Sequence, residues 1–246
     1  MTRECLADFG KVREYINGYR ISNNLNHKEY LDSLKKMHKY YFSCITWCAE
    51  LNHKKDEVSE LNNNINDDIV IRLSETVSDL GSALFNWTNG NYKTSRVMLR
   101  VAIENFIRAI SSIEEKSQIT EKSVYRVFEV ASSQNIFNHP TNPSVKECYN
   151  KLKEIYKELC KDTHTATKLN MEQLTSLADL PTYQQEKSLK SSEVYSNSIK
   201  CINFIFCIVF NKFFHTMHHR NRENILNGIS RDLKASIIAP NNSADD

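Results

Sequence analysis

The chain has 246 residues, enough for one large domain or two small ones with a substantial buried core. Gly and Pro number only 5 and 4, too few for the hairpin turns of a β-rich fold. Lys and Arg total 32 against 30 Asp and Glu; a net charge of +2 excludes a protein that coats DNA over its whole surface but allows a local basic patch.

The opening stretch MTRECLADFGKVREY is charged throughout and lacks the apolar run of a signal peptide. Residues 3–17 read as a short amphipathic helix with Leu6, Phe9, Val12 and Ile16 on one face, followed by a polar linker over 22–26. A second helix is expected from His27 to Leu61. Its stripe is Tyr30, Leu34, Met37, Tyr41, Cys44, Cys48, Leu51 and Val58, broken only at Lys55. Such a rod serves as a coiled-coil partner surface or as one member of a bundle, and the bundle is the favoured reading. The break at Asn62-Asn63-Asn64 sets a boundary between an N-terminal helical extension, 1–62, and a bundle over 67–238.

Asn66 or Asp67 suits the N-cap of a helix over 68–88 with Ile69, Leu73, Val77, Leu80, Leu84 and Trp87 inward. The turn Asn89-Gly90-Asn91 forces an antiparallel partner, 92–115. In that partner Leu99, Ile103, Phe106, Ile110 and Ile113 recur at helical spacing. A helix over 121–134 follows. The next opens at Pro143, with Asn142 as cap or Ser144 and Glu147 as a capping box, and runs to about Thr165. Residues 166–180 read as loop with a helical turn. Thr182 and Gln185 form another capping box for a long helix to His218. Its apolar run INFIFCIVF lies between Lys200 and Lys212, far short of the about 20 residues that cross a bilayer. A terminal helix over 223–238 and a disordered tail, 239–246, complete the chain. The expected architecture is all-α, with long antiparallel helices. The seven cysteines are odd in number and follow no disulfide framework, as expected of reduced thiols in a cytoplasmic protein.

Chemistry is sought first beside the stripe of 92–115. Arg100 and Glu104 lie one turn apart on a flank with apolar residues on either side, so they form either a structural ion pair or a polar site between helices. His164, at the edge of the apolar face of 143–165, reaches that flank if the two helices pack. It is then a general acid or base, or else a helix-end cap. A second candidate is the basic and aromatic run from Lys212 to Arg222, in which Lys212, His215, His219, Arg220 and Arg222 suit phosphate contacts. Phe213 and Phe214 within it continue the core stripe, and basic residues at a helix end also complement its dipole. Cys44/Cys48, Cys160/His164 and His215/His219 are spaced as metal half-sites, but nothing requires them to combine, and no metal or cofactor is expected. No dinucleotide, Walker, nucleophile-elbow or H-E-x-x-H motif occurs, so any ATPase activity belongs to another subunit.

Trp87, Gly90, Tyr92, Arg96, Leu99, Arg100, Ala102, Ile103 and Glu104 spell W-x-x-G-x-Y … R-x-x-L-R-x-A-I-E. Tyr156, Leu159, Cys160, Thr163 and His164 spell Y-x-x-L-C-x-x-T-H some sixty residues later. Together these resemble the HEPN-like helical domains of prokaryotic abortive-infection and other anti-phage systems, over about residues 67–218. The resemblance implies a HEPN-like bundle. Many such domains are metal-independent ribonucleases that act as dimers and carry an Arg and a His separated by four to six residues. Here the formal match is Arg20 with His27, in the Asn-rich linker, and no Arg precedes His164, His215, His218 or His219 at that spacing. The resemblance therefore implies a non-catalytic accessory or scaffold subunit of an anti-phage or anti-plasmid complex. Its partners would be other subunits, such as an ATPase or nuclease, RNA or DNA, and a second copy of the chain. The alternative is an endoribonuclease toxin using Arg100, Glu104 and His164.

Overall fold

Helices make up about four fifths of the computed structural model, which describes residues 3–164, Ser176 and residues 179–238, and the side chains of all these but 3–9, Thr163, His164 and Ile238. Among the described residues there is no strand. In chain order the α-helices are α1 (Arg3–Gly18), α2 (Lys28–His53), α3 (Lys55–Leu61), α4 (Asp67–Thr88), α5 (Tyr92–Glu114) and α6 (Val124–Ala131). They continue with α7 (Pro143–His164), α8 (Gln185–Val209), α9 (Asn211–Thr216), α10 (His219–Leu226) and α11 (Ala235–Ile238). The fold is an all-α bundle.

The α4–α5 hairpin forms as its turn chemistry dictates. The Asn66 side chain accepts from the Ile69 N–H at 3.1 Å and caps the start of α4. At the other end Gly90 takes φ +74°, a left-handed conformation that favours glycine. The Asn91 N–H then reaches the Asn86 carbonyl at 2.9 Å and the Gly90 N–H reaches that of Trp87 at 3.0 Å, a Schellman ending. The Asn91 side chain caps α5 by accepting from Thr94. The five-residue stripe of α5, Leu99 to Ile113, is buried along its length. Pro143 occupies the first position of α7.

α8 is the apolar axle of the molecule. It packs against α2, α7, α5 and α4, and its segment Cys201–Ile208 is wholly buried. Its buried serines, Ser188, Ser191, Ser192, Ser196 and Ser198, keep neighbouring backbones close. α2 lies inside the bundle, between α8, α4 and α10, with Met37, Cys44, Trp47 and Leu51 in the core.

Four expected helices are redrawn. The expected helix 27–61 breaks at Lys54, which takes φ −121° and ψ 42°, so that α3 turns to lay Val58 and its own length against α9. The expected helix 182–218 starts later and is interrupted. Tyr183 is held against His27 and Tyr30, with ring centroids 4.6 and 5.7 Å apart. The extended Gln184 N–H donates to the Tyr92 hydroxyl at 3.3 Å, so Thr182 caps nothing and the helix begins at Gln185. The break at Phe210 has a packing cause. Phe206, Phe210 and Phe214 all surround Trp47, at 5.3, 6.1 and 6.0 Å between centroids. Residues four apart drift about 40° around a straight helix, so a bend is needed to aim all three rings at one partner. The helix expected over 121–134 shortens to α6, capped by the Ser123 side chain. The terminal helix over 223–238 resolves into α10, a 3-10 turn at Arg231–Leu233 and α11. Gly228 passes so close to the Ser43 and Asn203 side chains that no Cβ fits, which diverts the chain there. Of the terminal stripe Ile225, Ile229, Leu233 and Ile237, the three isoleucines are buried and Leu233 is half-buried against the core.

The polar linker at 22–26 is a 3-10 helix, Ile21–Asn26. In α1, Val12 is half-buried and Ile16 is 64% exposed, so the expected inward face is not packed at its C-terminal end. The reading of 166–180 falls almost wholly outside the described residues, as does the tail 239–246. Among the described residues no helix is long and apolar enough to cross a membrane.

Candidate functional site

The flank of α5 does face α7, and a polar cluster occupies the seam. Arg100 donates from Nη2 to the Tyr156 hydroxyl at 3.0 Å and from Nε to Cys160 Sγ at 3.3 Å. Its guanidinium lies over the Tyr156 ring, 5.2 Å from the centroid. Glu104 is 3.9 Å from Arg100 Nη2 and 3.3 Å from Arg108 Nη2, so one carboxylate lies between two cations. The Tyr156 hydroxyl also approaches Glu104 Oε2 at 3.5 Å. One turn before Arg100, Arg96 pairs with the buried Asp162 at 2.8 Å.

Arg100, Glu104 and Tyr156 are satisfied by one another and by Arg108 and Cys160, whereas Arg96 Nε and Asp162 Oδ2 are buried without a hydrogen bond among the described residues. Arg108, itself buried, donates to the carbonyls of Gln118 and Glu121 and so ties the cluster to the segment before α6. Burial works against the charge of Arg100, but its acceptors Cys160 and Tyr156 outweigh this and push its pKa up. Burial pushes the Tyr156 phenol well above its ordinary range, a rise that the neighbouring Arg100 opposes. Burial also raises Asp162 although Arg96 favours its charged form. A phenol held protonated, an arginine with acceptors in place and a carboxylate between two arginines form a structural latch between helices.

Of the three residues expected to meet here, Arg100 and Glu104 do. His164 ends α7, and its side chain lies outside the described residues. Arg108 was missed although it stands four residues after Glu104, the spacing of a helical ion pair. A second network behind α5 was also missed: Arg72 donates to Asn105 Oδ1 at 2.9 Å, and Asn105 donates to the buried Asp79 at 2.8 Å.

The expected phosphate-contacting residues separate into two places. Lys212 is exposed on α9 at the rim of a cavity of about 260 Å³, whose walls include Val58, Ile65 and Phe213. His215, His219 and Arg222 meet at a cleft of about 300 Å³ with Glu223, a carboxylate that opposes an anion there. His215 Nε2 is 3.3 Å from the Ile237 carbonyl, and its ring meets Phe214 edge-on. Arg220 is exposed beyond them, and its backbone N–H donates to His218, the cap of α10. Phe213 and Phe214 belong to the core. Among the described residues no three His, Cys, Asp or Glu side chains gather as metal ligands, and Cys44 is buried against Asn203.

Comparison with protein-family models, with curated proteins and with solved structures gives no match for this chain.

Proposed function

We propose that this chain is a non-catalytic helical subunit that acts by protein–protein contact within an anti-phage or anti-plasmid defence complex. The defence assignment rests on the resemblance to HEPN-like domains and on the missing Arg–His motif. The observation that carries the subunit reading is an apolar outer face on α2 and α4. These helices run antiparallel, joined through Tyr30 with the Thr88 carbonyl, Tyr41 with Gly81, and Cys48 with Ser74. Phe42 and Ile45 on α2 are 43% and 37% exposed; Ile71 and Phe85 on α4 are 61% and 67% exposed.

On both helices these residues are displaced from the seam in the same rotational sense, by about 40–100° at 3.6 residues per turn. In an antiparallel pair, equal senses lead to the same side, so the four side chains share one face. Exposed apolar residues in one patch suit a partner surface, whereas scattered ones need no explanation. The closed bonding of Arg100 and Glu104 likewise favours a structural over a catalytic role.

The test is affinity purification of the tagged chain from its host, beside a Phe42→Ser, Ile45→Ser, Ile71→Ser, Phe85→Ser variant. The reading predicts a stoichiometric partner that the variant loses while its helical content is unchanged. A monomer with no partner, or cleavage of host RNA by the purified chain that Arg100→Ala and His164→Ala both abolish, would overturn it.

A further inference from the structure

A groove of about 450 Å³ runs between α6 and α7, on the outer side of the latch. Its floor is aromatic: the rings of Phe128 and Tyr156 pack on each other, 4.6 Å apart and tilted by 36°, with Phe128 itself buried. Tyr125 stands at the rim, 77% exposed, a large ring left outside the core. Lys153 and Lys157, one turn apart on α7, supply the opposite wall, and among the described residues neither has an ion-pair partner. The neighbouring Glu158 is already held by Lys161 at 2.6 Å. Arg100, behind the Tyr156 ring, adds a further cation beneath the floor. Among the described residues, Glu129 on α6 is the one acid lining the groove.

These features are complementary to one chemistry. Stacking rings accept any planar heterocycle, and two unpaired lysines one turn apart accept a phosphate beside it. A carboxylate across the groove accepts from an exocyclic amino group. A mostly apolar pocket of a few hundred Å³ with a few converging polar groups has the character of a small-molecule site. From these observations we infer that the α6–α7 groove binds a nucleoside 5′-monophosphate, its base on the exposed Tyr125 ring and against the packed Phe128–Tyr156 pair, and its phosphate at Lys153 and Lys157. The aminopurine adenine suits Glu129. This site stands apart from the α2–α4 face and from the basic run at 212–222, and does not depend on the subunit reading.

The experiment is isothermal titration calorimetry of the full chain with adenosine 5′-monophosphate, adenosine, inorganic phosphate and a short oligoadenylate RNA. The monophosphate is expected to bind with a Kd in the range of about 10–500 μM, and adenosine or phosphate alone at least about tenfold more weakly, since each keeps half of the contacts. Tyr125→Ala and the double variant Lys153→Gln, Lys157→Gln are each expected to weaken binding about tenfold. For the wild type, added salt should weaken binding as well. All three positions face solvent or the groove, so unchanged melting curves establish that the variants are folded. The inference is overturned by absence of heat with the monophosphate, by equal affinity in the variants, or by binding of the oligonucleotide alone.

Discussion

Replacing Arg100 with Ala separates a latch from a catalytic group. The change removes a charged hydrogen bond to Tyr156 at 3.0 Å, a weaker bond to Cys160, and the contact with the Tyr156 ring at 5.2 Å. A hydrogen bond to a charged group contributes about 1.5–3 kcal/mol, and a cation–π contact about 0.5–1 kcal/mol. The ion pair with Glu104 is long, at 3.9 Å, and Glu104 keeps Arg108 at 3.3 Å, so no carboxylate is left alone. The expected loss is about 2–4 kcal/mol. For a chain near 250 residues this lowers the melting temperature by roughly 5–15 °C. Arg100→Lys should lose about half as much, because an ammonium keeps the charge but cannot reach both acceptors. Urea unfolding of Arg100→Ala, Tyr156→Phe and the double variant gives the coupling of the pair, expected at about 1–2 kcal/mol. A stability within about 0.5 kcal/mol of wild type, together with loss of an RNA-cleaving activity, would refute the argument and make Arg100 catalytic.

Gly90→Ala should destabilise by about 1–3 kcal/mol, since φ is +74° and a Cβ would lie 2.5 Å from the Thr182 carbonyl oxygen; thermal unfolding reads this directly. Trp87→Phe leaves the Ser188 carbonyl without the indole donor that reaches it at 3.0 Å, a cost of about 1–3 kcal/mol measurable by chemical denaturation. Burial raises the Asp79 carboxyl, although the hydrogen bond from Asn105 opposes the rise. The folded state therefore binds this proton more tightly than the unfolded chain, and ionisation of Asp79 costs stability as pH rises above about 4. Asp79→Asn should accordingly raise stability at pH 7, with the gain fading as pH falls through the carboxylate range; a gain independent of pH would contradict the burial account.

The periodic elements were legible because their signals are local. The α5 stripe, the Asn66 cap and the Gly90 turn each depend on residues within one or two turns, and each appears where the pattern puts it. The break at Lys54 was signalled by the gap in the stripe at Lys55 but read through as one helix, and the break at Phe210 was not legible, because it answers to a partner distant in sequence. Phe210 bends its helix for Trp47, which lies on α2. The Gly228 diversion likewise depends on Ser43 and Asn203. At the latch, helical angles put Arg100 and Glu104 on one flank, but not the direction of their bonds. That Arg100 spends its donors on Tyr156 and Cys160 depends on the register of α7 against α5. The basic run illustrates the reverse error: Lys212 and His215, only three residues apart on α9, open onto different cavities, because α3 packs beside one and α10 beside the other.

Tyr156 joins the two sites on this side of the bundle. Its hydroxyl belongs to the latch, fixing Arg100 from α7, while its ring, packed on Phe128, lines the α6–α7 groove. A base seated on Tyr125 and against the Phe128–Tyr156 pair takes the Tyr156 ring further out of water and leaves the hydroxyl in its bonds to Arg100 and Glu104. Occupancy of the groove and cohesion of the α5–α7 seam are therefore linked through a single side chain, and linkage is reciprocal. Ligand should raise the melting temperature of wild type, and Arg100→Ala should weaken ligand binding without touching the groove. Tyr125→Ala, at the rim, should lose binding while leaving the seam intact. The two variants thus separate a ring that only covers the ligand from one that also carries the helix contact. Equal ligand affinity in Arg100→Ala and wild type would show that the ring keeps its place without the latch.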